Sequence, residues 1–229
     1  MKLLREGDAD VVHSLWDRLE EQGDGTFLPR EGRREEAGAL HPRLELAILR
    51  GFWAPPAAIL YSRRIVEAIG GWRESLPVIQ DARFFLDAAR RGGRFVLDPE
   101  VGAIYRVHRG GSVSRSSASA FTRDVFTNAS EVMDEWLAAG ELDPDRRGIL
   151  AGIFAGVART SAGRDEVLFE AAIARVNATV PGYVPGAPRA LSVASRILGL
   201  RSAARLAAWT EPLRRGSATR GGSSRGKAR

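Results

Sequence analysis

Asp81 is the residue of this sequence best placed to do chemistry. It closes the stretch "GGWRESLPVIQD", residues 70 to 81, and opens an apolar, helix-forming segment. A carboxylate there can accept a backbone N–H of the first helical turn, worth about 1 kcal/mol. It can also take a proton from a substrate hydroxyl lying within about 3 Å. Trp72, nine residues earlier, is by default a core side chain, since tryptophan buries well. His108 follows an apolar run in "YRVHRGGSVS", flanked by Arg106 and Arg109. Alone, it reads as a loop histidine beside a solvated basic edge. Asp8 and Asp10 form a D-x-D string, but they precede a strand instead of ending one, so we read them as a chance match. The chain has no cysteine, which removes thiolate nucleophiles and cysteine-ligated zinc. It has no GxGxxG, P-loop or HExxH motif.

The elements that would position these residues alternate through the first half. Val11, Val12, Leu15 and Trp16 predict a strand over 9–19, ended by the turn signal at 23–25. A charged loop is expected over 29–38 and a short helix over 42–50, broken by "FWAPP". A buried strand at 57–62 leads into a helix at 63–69 that stops at Gly70 and Gly71. Phe84, Phe85, Ala88 and Ala89 make the apolar face of the helix that Asp81 opens, and Gly92 and Gly93 end it. Strands at 94–98 and 101–107 follow, separated by Pro99. Residues 1–118 thus read as an α/β layered unit.

From Phe121 the period becomes helical. Phe121, Val125, Ala129, Val132, Met133 and Trp136 mark one amphipathic helix. Asp143-Pro144 opens a second, to about Thr160, and Asp165 a third, to about Asn177. We expect a helical extension over 119–180, then a linker and a basic amphipathic helix over 181–210. Residues 211–229, rich in Gly, Ser and basic residues, are expected to be a disordered tail.

The composition is that of a globular chain, 44% hydrophobic and 27% charged over 229 residues. The formal charge of +6 is concentrated at one end. From Arg201 onward there are eight Lys or Arg and one acid, a balance of +7 that leaves residues 1–200 at −1. A nucleic-acid-binding fold would carry its charge on the core, so we expect no nucleic-acid partner. No apolar run approaches the roughly 18 residues of a membrane span, and the N-terminus lacks a signal-peptide pattern. The expected location is cytoplasmic, with peripheral contact at the inner face of the cell membrane through 189–229.

Five motifs in order carry a resemblance. "ILYSRR", "IGGWRES", "IQD", "ARFFLDAARRGG" and "RFVLDPEVGAIYRVHRGGSVS" follow one another over residues 57–114. The segment resembles the second half of a family 2 glycosyltransferase catalytic domain, of the A-type fold. The resemblance implies an inverting enzyme that transfers sugar from a nucleotide-diphosphate sugar to a sugar or lipid-linked acceptor, as in polysaccharide or cell-envelope biosynthesis. It assigns Asp81 as the catalytic base and Gly71, Trp72 and Glu74 to the acceptor site. It gives Arg106 and Ser112 to the donor diphosphate, His108 to a divalent metal (Mn or Mg), and the serine-rich loop 110–119 to a lid. Gln80 and Arg73 stand where the family often has acids.

Family members begin with a nucleotide-binding half ending in a DxD-type motif, whereas this chain opens on what looks like the strand after it. The fold expected is therefore α/β, a partial Rossmann-like A-type sheet followed by an α-helical C-terminal extension, an incomplete enzyme whose nucleotide-binding half is either lost through a wrong start or a split or truncated gene, or supplied by a partner chain. The competing expectation is a non-catalytic remnant, or a module that binds a membrane surface or partner through its helices and basic tail.

Overall fold

In the computed structural model the described residues are 9–32, 34, 36–110 and 118–218, with side chains as far as Trp209. The chain is mixed α/β and divides after Asp124 into two compact units.

The first unit is built along β1 (Val11–Glu21). Apolar side chains at its start, with Val11 and Val12 buried, leave it usable from both edges. β2 (Phe27–Glu31) returns antiparallel along the far end of β1, pairing Glu21 with Phe27 and Asp17 with Glu31. In the turn between them the Asp24 carboxylate accepts the Thr26 N–H at 3.0 Å and its hydroxyl at 2.7 Å. The last three residues of β2, 29–31, fall at the start of the segment expected to be loop. Every one is exposed, so no burial pattern marked the strand, and its backbone pairing to β1 decides it.

Two short helices follow, α1 (Ala37–Leu40) and α2 (Leu44–Leu49), then a 3-10 turn and β3 (Ile59–Tyr61). β3 pairs antiparallel with β1, Tyr61 opposite Val11. Ser62 caps α3 (Arg63–Ile69) by accepting the Ile65 N–H at 3.3 Å. The left-handed Gly70, at φ 83°, ends that helix as expected.

α4 (Gln80–Arg90) runs back to the sheet. Its N-cap is Ile79, so Asp81 lies inside the first turn instead of capping it. Asp124 does the capping from another helix, its Oδ2 accepting the N–H of Val78 at 2.7 Å and of Ile79 at 3.3 Å. The buried face of α4 includes a charge pair as well as Phe84, Phe85 and Leu86. Arg83, fully buried, donates to Asp87 Oδ2 at 2.8 Å, and Arg90 donates to Asp87 Oδ1 at 3.1 Å.

β4 (Phe95–Val107) completes a four-stranded mixed sheet, parallel to β1. Pro99 does not end it. The register jumps from Ser14–Asp98 to Leu15–Val101 and Trp16–Ala103, so Pro99 sits in a bulge, where no ladder N–H is required. Gly102 is needed there, because a Cβ would lie 2.3 Å from the Ser14 hydroxyl.

The second unit is helical. α5 (Ala118–Ala138) brings Ala129, Val132, Met133 and Trp136 to its core. α6 (Pro144–Ser161) and α7 (Glu166–Thr179) begin at Asp143 and Asp165, whose side chains accept the Arg146 N–H at 2.9 Å and the Leu168 N–H at 3.1 Å. α6 buries Leu150 and Phe154, and α7 buries Phe169 and Val176. α8 (Arg189–Ala218) is broken at Gly199, whose φ of 77° and ψ of 157° are non-helical. Among the described residues no helix is long and apolar enough to cross a membrane.

One carboxylate joins the starts of three segments. Asp10 accepts the Arg94 N–H at 3.0 Å, the Ser62 hydroxyl at 3.2 Å and Arg64 Nε at 3.1 Å. These partners, the Arg94 backbone first, hold its carboxyl below the usual range. A depressed pKa contributes stability that is present above the unfolded carboxyl value and lost as pH falls through the folded one. Asp10→Ala is therefore expected to cost about 2–4 kcal/mol in urea unfolding at neutral pH. That cost should shrink as the pH falls below about 4. Equal stability of the two proteins at pH 7 would show that the clasp contributes nothing.

Candidate functional site

β3 and the turn after α3 bring two aromatic side chains onto one ring of α4, near a carboxylate of the same helix. Gly70 and Gly71, with φ of 83° and 105°, turn the chain so that Trp72 lies back on α4. The indole stacks on Phe84, ring centres 4.4 Å apart and planes 26° apart, while remaining 52% exposed. Tyr61, at the end of β3, meets the same Phe84 ring edge-on at 5.0 Å. Asp81 lies three residues before Phe84, hence on the same side of α4. Burial raises the Tyr61 phenol above its ordinary pKa, and the Asp81 charge raises it further, which places the two groups in one electrostatic neighbourhood. The result is an open aromatic face packed on α4, with a half-buried carboxylate one turn away along the same helix, a combination suited to a ligand with an apolar ring face and a hydroxyl.

Glu74 is exposed in the turn that carries Trp72. Arg73 approaches Asp87, with Nε 3.8 Å from Oδ2, so the turn is tied to the charged side of α4 as well as to its aromatic side.

Arg106 and His108 lie elsewhere. Tyr61 pairs with Val11 at the start of β1, whereas Val107 pairs with Glu20 near its end. Nine residues of strand, about 30 Å, separate those two levels. There the His108 Nδ1 is 3.7 Å from Glu21 Oε2, and its ring meets Phe27 edge-on at 5.6 Å. Glu21 Oε2 also accepts the Arg109 N–H at 2.8 Å. One imidazole and one carboxylate are fewer ligands than a hard divalent cation takes from a protein site. Among the described residues no three His, Asp or Glu side chains gather in a group that could hold a metal. The described residues do not fit the metal that the resemblance implies. Asp8 and Ser112 lie outside the described residues, and Asp10 is engaged in the clasp at the start of β1.

A cavity of about 370 Å³ opens over the middle of β1, lined among others by His13, Trp16, Arg34, Phe52, Trp53 and Phe95. Trp16, Trp53 and Tyr105 meet edge to face, with ring centres 5.7 to 6.0 Å apart. Arg34 closes one side by donating to the Trp16 carbonyl at 2.6 Å and pairing with Asp17. Burial lowers the His13 pKa. Phe85 packs on Phe95 at 5.1 Å and on His13 at 6.4 Å, so adjacent residues of α4 serve the two places, Phe84 beneath the open platform and Phe85 behind side chains that line the cavity.

No family model, curated protein or solved structure matches this chain. Its chemistry is read from these groups alone.

Sequence reasoning missed Tyr61 and the cavity. Tyr61 read as one more apolar residue of a buried strand, and "FWAPP" read only as a helix break. The signal was present in the density of aromatic residues at 52, 53 and 61, which a single helix stop does not require.

The neighbourhood of Asp81 and Tyr61 has a spectroscopic consequence. Tyr61 is expected to ionise above the ordinary phenol range, and Asp81→Asn should move that titration down by removing the opposing charge. Ultraviolet titration of phenolate, with Tyr61→Phe identifying the transition, checks this. A Tyr61 titration unchanged by Asp81→Asn would separate the two groups.

Proposed function

We propose that the first unit is the acceptor-side part of an inverting glycosyltransferase catalytic domain of family 2 type. The observation that carries the reading is the half-exposed Trp72 face stacked on Phe84, one helical turn along α4 from Asp81. In this reading the apolar face of an acceptor sugar stacks on the indole, and a hydroxyl of that sugar points to the Asp81 carboxylate. As the hydroxyl oxygen attacks the anomeric carbon of a nucleotide-diphosphate sugar, its proton passes to Asp81. The bond from the anomeric carbon to the diphosphate breaks, and the nucleoside diphosphate leaves with that electron pair. Inversion follows because one displacement occurs from the face opposite the leaving group.

The order β3–β1–β4, with α4 returning to a parallel strand, suits the A-type sheet that the motifs suggest. The donor nucleotide is held outside residues 9–110 in this reading. The acceptor is a sugar or a lipid-linked sugar. No step is routed through a metal, since the described residues do not supply its ligands.

Two substitutions test the reading, with saccharide binding measured by calorimetry on the full chain and transfer by nucleoside diphosphate release from that chain supplemented with the part that holds the donor. Trp72→Ala should weaken acceptor binding by roughly tenfold, the size of one lost stacking contact. Asp81→Asn should leave that binding within about threefold and lower kcat by about 10²–10⁴-fold. Saccharide binding indifferent to Trp72→Ala, or transfer indifferent to Asp81→Asn, would sink it.

A further inference from the structure

The second unit carries a surface that the transferase reading does not use. In the first segment of α8, Leu191 and Ser195 turn inward and are buried. Val193, Ile197 and Leu198 are 56%, 75% and 52% exposed. With Ala190 and Ala194 they line one shallow apolar face at i, i+3, i+4, i+7 and i+8 spacing. Exposed Arg189 and Arg196 flank it.

Beyond Gly199 the helix is held in one rotation. Arg205 Nη2 pairs with Glu170 Oε1 at 3.0 Å and with Glu166, and Arg201 pairs with Glu170. The Arg205 guanidinium also lies 5.0 Å from the centre of the Phe169 ring. These contacts turn Ala203 and Ala204 inward and leave Leu206 52% and Trp209 83% exposed. Trp209 is followed by a segment containing six Lys or Arg and one acid, Glu211.

The geometry points to α8 as an interfacial helix that lays its apolar face on an anionic lipid surface. A broad, shallow apolar stripe with flanking arginines and a terminal tryptophan fits a headgroup boundary. The basic segment after Trp209 supplies the electrostatic attraction, and the bilayer is the partner of opposite sign. A second copy of the chain is a poorer occupant, because apposing two such faces brings the exposed Arg189 and Arg196 of one copy against those of the other. Arg201 and Arg205, already paired with Glu170 and Glu166, orient the helix and are not the lipid-binding charges.

The test is flotation of the full chain with phosphatidylcholine vesicles, with and without phosphatidylglycerol. We expect binding to the anionic vesicles that weakens as salt is raised, and little binding to the neutral ones. Ile197→Asp, at a largely exposed position, should lower partitioning by roughly tenfold or more without changing the thermal melt, and Trp209→Ser should act in the same direction. Asp81→Asn should float like the parent chain, which keeps this result separate from the transferase reading. Partitioning unaffected by Ile197→Asp would overturn the proposal. So would failure of the parent chain to float, or a dimer in sedimentation that Ile197→Asp splits.

Discussion

A buried carboxylate at the start of β1 sets where everything else in the first unit can be. Asp10 offers four acceptor positions in a place almost closed to water, and leaving them unfilled would be costly. They are filled from two distant parts of the chain, the Ser62–Arg64 segment and the Arg94 backbone. The Asp10 backbone adds to the tie, its carbonyl accepting the Ser62 N–H at 2.7 Å and its N–H donating to the Arg94 carbonyl at 2.8 Å. Ser62 is the residue after β3 and Arg94 the residue before β4, so one side chain sets the entry to α3 and the exit from α4. Tyr61 and the Asp81 helix owe their mutual position to it.

Within that frame α4 has one rotation available. A buried arginine has few places to be, and Arg83 is satisfied by Asp87 one turn later. Such a pair adds little net stability, because desolvation offsets the attraction, but a helix rotated so as to separate its members would bury two uncompensated charges. With Arg83 and Asp87 turned inward, Phe84 and Phe85 point to either side of them. Phe84 underlies Trp72 and Tyr61, and Phe85 faces Phe52, Phe95 and His13. The direction of Asp81 follows from the same rotation. Its place in the first turn, with Asp124 satisfying the N–H groups ahead of it, leaves its carboxylate for a neighbour other than its own helix.

Much of this was legible in the sequence, and the rest failed for identifiable reasons. The glycine that ends α3 and the aspartates before α6 and α7 act on their own stretch of backbone, so local pattern finds them. β2 could not be found that way, since it is an exposed strand whose residues have no burial periodicity. Pro99 misled because a proline ends a strand only where its missing N–H is needed, and a bulge removes the need. Asp81 misled as a cap because the true cap, Asp124, is remote in sequence. The charges at Arg83 and Asp87 interrupt the apolar face of α4 at i, i+4, a sign that reads as solvent-facing until the neighbours are known. The candidate site was legible in Asp81 and Trp72 and hidden in Tyr61, whose contribution depends on strand pairing.

The arrangement along β1 also limits what one ligand can touch. The Asp81 platform lies at the level of Val11, the aromatic cavity over His13 to Trp16, and His108 beyond Glu20. Neighbouring side chains of α4, the buried Phe84 and Phe85, separate the first two. The third lies too far along the strand to act on the same reacting atoms. Arg106 and His108 are thus kept from Asp81 by the length of β1 itself, and a ligand that reached both levels would have to lie along the sheet.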